Sequence, residues 1–231
     1  MKTIGMIGGT GWLSTVEYYR MLNQEVNHRL GGLEAARCIL YSFNFAEIVR
    51  LKENDPEQKR VVPHVVKAAH ALAGCGADCL MLCANTFHMF ADEILKSVPL
   101  PLIHIATATG REMAKRHIHK AGLLGTRPTM EKDFYKTKLA AEGIETLVPD
   151  AAGIEFVDTA IMTQLVRGDF RPEVRQRFIE IMKELNVRGA QGIVLGCTEI
   201  PLLVKPEDVD IPLFDTLSIH VRAAVDFALA D

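Results

Sequence analysis

Short apolar runs alternate with helical stretches along the whole chain. Residues 3–7 form an apolar run that ends in a glycine loop, and Tyr18, Leu22, Val26 and Leu30 then recur at helical spacing. The predicted strands are residues 3–7, 37–42, 77–82, 100–105, 121–124, 144–148, 192–195 and 211–214. The predicted helices are residues 15–30, 46–51, 61–73, 87–96, 106–116, 130–141, 153–166, 172–186 and 217–229. This alternation favours an α/β protein with parallel strands and helices on both faces.

The start of the first helix is predicted from a capping box, with Ser14 as the N-cap and Glu17 three residues later. The loop before it, Gly8-Gly9-Thr10-Gly11, matches neither a dinucleotide fingerprint nor a phosphate-binding loop. Its backbone N–H groups would still suit a carboxylate or a phosphate.

Three pairs of segments match in the same order, which indicates an internal repeat. The pairs are residues 5–8 with 122–125, 76–85 with 189–198, and 101–102 with 212–213, at offsets of 117, 113 and 111. The repeat predicts two similar Rossmann-like parallel-sheet domains related by a pseudo-two-fold axis, with the active site in the cleft between them. The expected first domain is residues 1–105 completed by residues 208–231, and the second is residues 106–207.

The stretch GIVLGCTEI, residues 192–200, carries a thiol at a predicted strand end. Backbone N–H groups at the start of the following helix would favour the thiolate form of Cys197. A small buried cysteine that packs like alanine is the alternative interpretation. In the register of the repeat, Cys197 corresponds to Ala84 and not to Cys83. Successive strand residues point to opposite faces, so Cys83 need not project where Cys197 does.

Composition narrows the class of protein. The chain has 231 residues, 48% of them hydrophobic, and a formal net charge of −3 from 26 basic and 29 acidic residues. Such mixed charge argues against a non-specific nucleic-acid binder, and no apolar run approaches the ~18 residues of a membrane span. The five scattered cysteines give neither a disulfide framework nor zinc spacing. We therefore expect a soluble cytoplasmic protein with no nucleic-acid partner, no membrane partner and no metal.

Five segments carry a resemblance to a known family: IGMIGGTGWLSTVEYY, LCANTFHMFADEI, LLGTRPTMEKDFY, GIVLGCTEIPLLV and LFDTLSIH. Over almost its whole length the chain resembles the aspartate/glutamate racemases, which belong with the glutamate and hydantoin racemases. The resemblance implies an isomerase that transfers a proton at Cα of an acidic amino acid, aspartate or glutamate. It implies no cofactor, pyridoxal phosphate included, and a homodimer acting on a small-molecule amino acid.

The family pattern places an acid/base group on each face of the substrate, because inversion at Cα requires both. The usual pair is the cysteine directly before Asn-Thr and the cysteine of Gly-Cys-Thr. Cys197 fits the second position, but the first position is Ala84, which has no exchangeable proton. Three readings stay open. In the first, Cys83 or a bound water substitutes in a slow or unusual racemase. In the second, a single cysteine serves a one-sided reaction, as in the related arylmalonate decarboxylases. In the third, Ala84 marks a binding protein without turnover or an engineered inactive form.

Hydroxyl and backbone N–H groups at these strand ends are expected to hold the α-carboxylate of the substrate. The residues expected to line this part of the site are Thr10, Ala84, Asn85, Thr86, Thr126, Thr129, Thr198 and Glu199. A second carboxylate would need a cation, for which Arg50, Lys52 and Arg127 are the candidates. The alternatives are ordinary helix caps for the threonines and a solvated helix face for Arg50 and Lys52. His88 is expected to orient its loop by hydrogen bonding.

Overall fold

The computed structural model describes residues 1–53, 55 and 57–230, which form two compact α/β units. The first unit comprises Met1–His104 and the chain from His220 onward, and the second comprises Ile105–Ile219. No helix in these described ranges is both long enough and apolar enough to cross a membrane.

The first unit is built on a four-stranded parallel sheet in the order β2-β1-β3-β4. Its elements are β1 (Ile4–Gly8), α1 (Trp12–Leu30), β2 (Cys38–Ser42), α2 (Phe45–Lys52), α3 (Val62–Gly74), β3 (Cys79–Leu82), a 3₁₀ helix (Thr86–Phe90), α4 (Ala91–Ser97) and β4 (Leu102–Ile103). Every residue of the two central strands, β1 and β3, is buried. Burial on both faces explains why these strands are continuous apolar runs rather than alternating ones.

The second unit repeats this sheet in the equivalent order β6-β5-β7-β8, again with parallel strands. Its elements are α5 (Ile105–Lys115), β5 (Lys120–Gly125), α6 (Arg127–Glu131), α7 (Asp133–Ala141), β6 (Glu145–Leu147), α8 (Ala151–Thr163), a 3₁₀ helix (Leu165–Arg167), α9 (Pro172–Val187), β7 (Ile193–Gly196), α10 (Ile200–Leu203), a 3₁₀ helix (Pro206–Asp208), β8 (Leu213–Asp215) and α11 (Thr216–Leu229), whose residues from His220 belong to the first unit. One apolar core joins the sheet to α8 and α9, and another joins it to α5 and α7. Helices therefore cover both faces of this sheet, as the sequence predicted.

Strand register makes the two sheets equivalent position by position. In the first unit, the central strands end with Ile7 opposite Leu82. In the second unit, the equivalent pair is Leu124 opposite Leu195, and one more pair follows, Gly125 opposite Gly196. Ala84 lies two residues beyond Leu82, and Cys197 lies two residues beyond Leu195. The register thus gives the same equivalence as the sequence repeat, Ala84 with Cys197.

The start of α1 differs from the prediction that Ser14 is its N-cap. The helix begins at Trp12, and Gly11 occupies the N-cap with a φ of 119°. Ser14 is already inside the helix, where its hydroxyl donates to the carbonyl oxygen of Cys83 at 3.1 Å. The glycine loop can enter the helix earlier because glycine tolerates a positive φ.

The expected boundary of the first domain at residue 208 also differs from the structure. Strand β8 forms a parallel ladder with β7, in which Phe214 lies opposite Val194. Ile211 packs in the core beside α8 and α9. Residues 208–219 therefore belong to the second unit, and only the chain from His220 completes the first.

Candidate active site

The carboxyl ends of β1 and β3 bring the glycine loop and the segment Cys83–Thr86 together within the first unit. The Cys83 N–H donates to the carbonyl oxygen of Ile7 at 2.8 Å, and the Cys83 carbonyl accepts from Ser14. Because the strands are parallel neighbours, their C-terminal loops share one edge of the sheet. Five of the predicted site residues lie at this edge: Thr10, Cys83, Ala84, Asn85 and Thr86.

The glycine loop is held by close backbone contact. A Cβ on Gly9, whose φ is +82°, would lie 2.2 Å from the carbonyl oxygen of Phe43. The Gly9 N–H donates to Oγ1 of Thr15 at 2.9 Å. The Gly9 N–H group therefore donates its hydrogen bond to a residue of α1 and not to a ligand.

Cys83 occupies the position equivalent to Gly196 and is only 1% exposed. Burial, with a smaller contribution from Cys38, raises the pKa of the Cys83 thiol far above its usual range. A thiol that is both buried and strongly held in its protonated form is a poor acid/base group. The neighbouring Ala84, at the position equivalent to Cys197, is partly exposed.

His88 supports the backbone at Ala84. Its ring is buried, and Nδ1 lies 3.0 Å from the carbonyl oxygen of Ala84, in agreement with the expected orienting role. Two further histidines pack around it, His104 with ring centroids 4.7 Å apart and His220 at 5.4 Å. Burial, followed by the neighbouring histidines, lowers the pKa of His88 well below its usual value. The cluster was not predicted, because its members are far apart in sequence and carry no common motif.

In the second unit, β5 and β7 end at the glycine pair Gly125 and Gly196. A Cβ on Gly196 would lie 2.9 Å from the carbonyl oxygen of Leu124, and one on Gly125 would lie 2.9 Å from that of Gly196. The two backbones therefore approach too closely for a side chain on either residue. Thr126 and Cys197 follow this pair directly, side by side at the same sheet edge.

The Cys197 thiol is partly exposed and hydrogen-bonded. Its Sγ donates to Oε2 of Glu199 at 3.0 Å, and Oγ1 of Thr198 donates to the same oxygen at 2.8 Å. This polar partner and the partial exposure argue against the interpretation of Cys197 as a core residue that packs like alanine. The sequence prediction gave Glu199 a role in substrate binding and missed this contact, although the adjacency Cys-Thr-Glu was visible.

The surroundings of the Cys197 thiol favour its protonated form, whereas the sequence led us to expect that they would favour the thiolate. Burial and then the carboxylate of Glu199 raise the pKa of Cys197 well above its usual value, and the backbone N–H groups of Glu199 and Thr198 lower it less. The following helix, α10, has only four residues, so it contributes a weak dipole. The resting state therefore carries a protonated thiol.

The candidate cations differ in their surroundings. The guanidinium of Arg127 pairs with Glu131 at 3.1 Å and with Glu155, and its backbone N–H donates to Asp158. Thr126 and Thr129 lie beside it, with their hydroxyl oxygens 3.1 Å apart. These ion pairs are exposed to solvent and therefore weak, so they leave Arg127 a candidate for a substrate carboxylate.

Lys52 lies near the edge of the first sheet that carries the glycine loop. Its Nζ is 5.5 Å from the ring centroid of Phe87, which directly follows Thr86. Arg50, two residues earlier on α2, is exposed to solvent. Across residues 1–53, 55 and 57–230, no three His, Cys, Asp or Glu side chains are grouped to hold a metal ion.

Polar side chains at the ends of parallel strands, with a hydrogen-bonded thiol among them, define an α/β protein whose site suits acid/base chemistry on a small molecule. The family model described as Asp/Glu/Hydantoin racemase matches residues 7–224. The chain belongs to this family.

Similarity to two solved structures extends over the full chain, and similarity to a curated racemase extends over most of it. A candidate Asp/Glu racemase from Yersinia pestis is 44% identical, with a TM-score of 0.94 and 100% of both chains covered. An aspartate racemase homologue from Pyrococcus horikoshii is 32% identical, with a TM-score of 0.86 and 100% of both chains covered. The broad specificity amino-acid racemase RacX of Bacillus subtilis is 25% identical over 181 residues, which span 77% of this chain and 75% of that protein.

Proposed function

We propose that the protein is a cofactor-independent racemase that transfers a proton at Cα of an acidic amino acid, aspartate or glutamate. The observation that carries the proposal is the partly exposed thiol of Cys197 at a strand end in a chain of the Asp/Glu/hydantoin racemase family. The family resemblance also implies a homodimer in the cytoplasm, which gel filtration and cell fractionation would test.

Cys197 is the group that removes or returns the Cα proton on one face of the substrate. Ala84, at the equivalent position of the other sheet, has no proton to give. Cys83 is buried beside it and its raised pKa keeps it protonated. We therefore assign the second protonation to a water molecule rather than to Cys83.

Substrate recognition is assigned to both sheet edges. The α-carboxylate would be held by hydroxyl groups and backbone N–H groups at the starts of the helices that follow the central strands. The residues proposed to hold it are Thr10, Asn85, Thr86, Thr126, Thr129 and Thr198. For the second carboxylate the proposed cations are Arg50, Lys52 and Arg127, of which Arg127 also pairs with Glu131 and Glu155.

The test is incubation of each enantiomer of aspartate and glutamate in D₂O, with Cα deuteration and inversion followed separately. We expect deuterium to enter one enantiomer faster than that enantiomer inverts, because Cys197 exchanges the proton it has taken for solvent deuterium and returns a deuteron to the face that the proton left. Cys197→Ser should lower the exchange rate by about 10²–10⁴-fold, the usual contribution of a positioned acid/base group. Exchange that persists in Cys197→Ser, or none in the unaltered protein, would contradict the proposal.

The one-sided reaction stays as a second candidate because of Ala84. A reaction such as decarboxylation requires protonation on one face only, and Cys197 alone could supply it. In that case the protein would release CO₂ from a malonate-type substrate and show no inversion of aspartate or glutamate. If it bound amino acids without either reaction, ligands would stabilise the fold without turnover.

A further inference from the structure

Cys197 and Glu199 form a hydrogen bond in which the thiol is the donor and the carboxylate is the acceptor. Sulfur donates and Oε2 accepts, at 3.0 Å. The hydroxyl of Thr198 fixes the same oxygen at 2.8 Å, so the carboxylate does not depend on Cys197 for its orientation. All three residues are partly exposed, and the carboxylate can therefore exchange protons with solvent.

This arrangement poses a chemical requirement for the reaction. The thiol of Cys197 must lose its proton before or while its sulfur takes the proton from Cα. Sulfur is within hydrogen-bonding distance of only one carboxylate among the contacts of the described chain, that of Glu199. The stabilising backbone N–H groups that would otherwise maintain a thiolate are outweighed at this site.

A role of Glu199 as a ligand for the substrate is less consistent with its charge. The proposed substrates carry two carboxylates, and a third carboxylate 3.0 Å from the reacting sulfur would repel them. The polar groups that suit a substrate carboxylate at this edge are instead the hydroxyl of Thr126 and nearby N–H groups.

We propose that Glu199 is the base that takes the thiol proton of Cys197 during removal of the Cα proton, an inference that rests on the racemase function proposed above. The S–H bond breaks and an O–H bond forms at Oε2, while sulfur gains the proton released by Cα. The electron pair of the Cα–H bond stays on the substrate as the carbanion. A water molecule protonates the opposite face, and Glu199 then returns its proton to the hydroxide that this leaves.

The variant that tests the pair is Glu199→Gln, which keeps the size of the side chain and removes its basic oxygen. At pH 7 we expect Cα exchange to fall at least tenfold, because burial still keeps Cys197 protonated and no acceptor remains. The rate should then rise by about tenfold per pH unit between pH 7 and pH 9, as hydroxide replaces the missing base. The unaltered protein should show a nearly flat profile over this range.

Glu180→Gln is the matched control. Glu180 is a glutamate of the same unit that pairs with Arg177 on the surface of α9, so its loss removes one charge without touching Cys197. It should leave both the exchange rate and its pH profile unchanged. A Glu199→Gln enzyme with a raised KM and an unchanged pH profile would overturn the proposal in favour of a binding role.

Alkylation of Cys197 by iodoacetamide provides a measurement that does not need turnover. In Glu199→Gln the rate should reach its half-maximum at a lower pH than in the unaltered protein, because the carboxylate that opposes thiolate formation is gone. Buried Cys83 serves as an internal reference whose rate should not change. Equal titration of Cys197 in both proteins would refute the coupling. If the coupling is present but no protein catalyses exchange, the racemase function fails and the role of Glu199 in Cα proton removal fails with it, while the coupling of the Cys197 and Glu199 titrations remains. If exchange occurs but the coupling and the pH effect are absent, only the role of Glu199 fails.

Discussion

Two residues at equivalent positions of the two sheets, Ala84 and Cys197, differ in the one property that proton transfer requires. Sulfur can exchange a proton and the methyl group of alanine cannot. Cys83 follows the last paired residue of β3, yet it occupies the position that is glycine in the second unit and is buried. The asymmetry of the proposed reaction therefore originates in a single side chain.

Replacing Ala84 by cysteine should restore the missing group. We expect Ala84→Cys to raise the ratio of inversion to Cα exchange at least tenfold, because a thiol would then occupy the position at which the family pattern has its second acid/base group. The ratio is measured in D₂O by chiral chromatography and mass spectrometry on the same samples. Cys83→Ala is the control, and it should leave the ratio unchanged. A ratio that drops in Cys83→Ala would instead make Cys83 the second acid/base group.

Glycines at strand ends determine how the loops of the site are built. Gly9 is confined by the backbone of Phe43, and Gly196 is confined by the carbonyl oxygen of Leu124. In each case a parallel neighbour or an adjacent loop lies where a Cβ would be. These contacts position the residues that follow, Thr10 in the first unit and Cys197 in the second.

Gly9→Ala should destabilise the protein by at least about 3 kcal/mol, because the new Cβ meets backbone atoms that cannot move independently and the φ of +82° is strained for alanine. The matched control is Gly143→Ala, where φ is +81° and no heavy atom lies within 4 Å. That variant should lose only about 1–2 kcal/mol, the cost of the backbone conformation alone. Urea denaturation of both variants measures the difference. Similar losses in the two would show that the contact with Phe43 is not important.

The spacing of apolar residues predicted the strands and most helices. It could not predict helix starts and breaks that depend on contacts with distant parts of the chain. Residues 130–141 were predicted as one helix, whereas the chain forms α6 and α7 with a break at Lys132. Residues 87–96 begin as a 3₁₀ helix before α4. The capping prediction for Ser14 used only neighbouring residues, whereas the hydroxyl of Ser14 donates a hydrogen bond to the carbonyl oxygen of Cys83, which is distant in sequence.

The same distinction applies to the candidate site. The correspondence between Ala84 and Cys197 could be deduced from the sequence repeat, because the matched apolar segments align the two strand ends residue by residue. The protonated state of Cys197 could not, because it depends on the burial of the thiol and on the orientation of Glu199. The pairing of Arg127 with Glu131 and Glu155 likewise depends on packing of α6 and α8.

At the scale of the whole molecule, the same sheet order in both units explains how a weak sequence repeat marks two complete α/β folds. The C-terminal helix α11 then adds a feature to the first unit that the repeat does not contain. It brings His220 to the buried cluster of His88 and His104, where Tyr18 Oη lies 3.0 Å from Nδ1 of His220 and Nε2 lies 2.7 Å from the carbonyl oxygen of Ile103. The fold thus depends on two histidines, His88 and His220, whose lowered pKa values keep them neutral.

This dependence predicts a loss of stability in mild acid. Burial lowers the pKa of His220 to about 4, from 6.5 in the unfolded chain, so between these values the unfolded state binds the proton that the folded state excludes. The contribution of His220 to the free energy of unfolding is fully present above pH 6.5, and about 3 kcal/mol of it is lost as the pH falls to 4.

In urea denaturation, His220→Gln should show a shallower fall in the free energy of unfolding over this range, with His88 accounting for part of the remaining slope. His64→Gln, which replaces an exposed histidine of α3, should retain the slope of the unaltered protein. Identical slopes in all three proteins would show that protonation of the buried cluster does not govern acid stability.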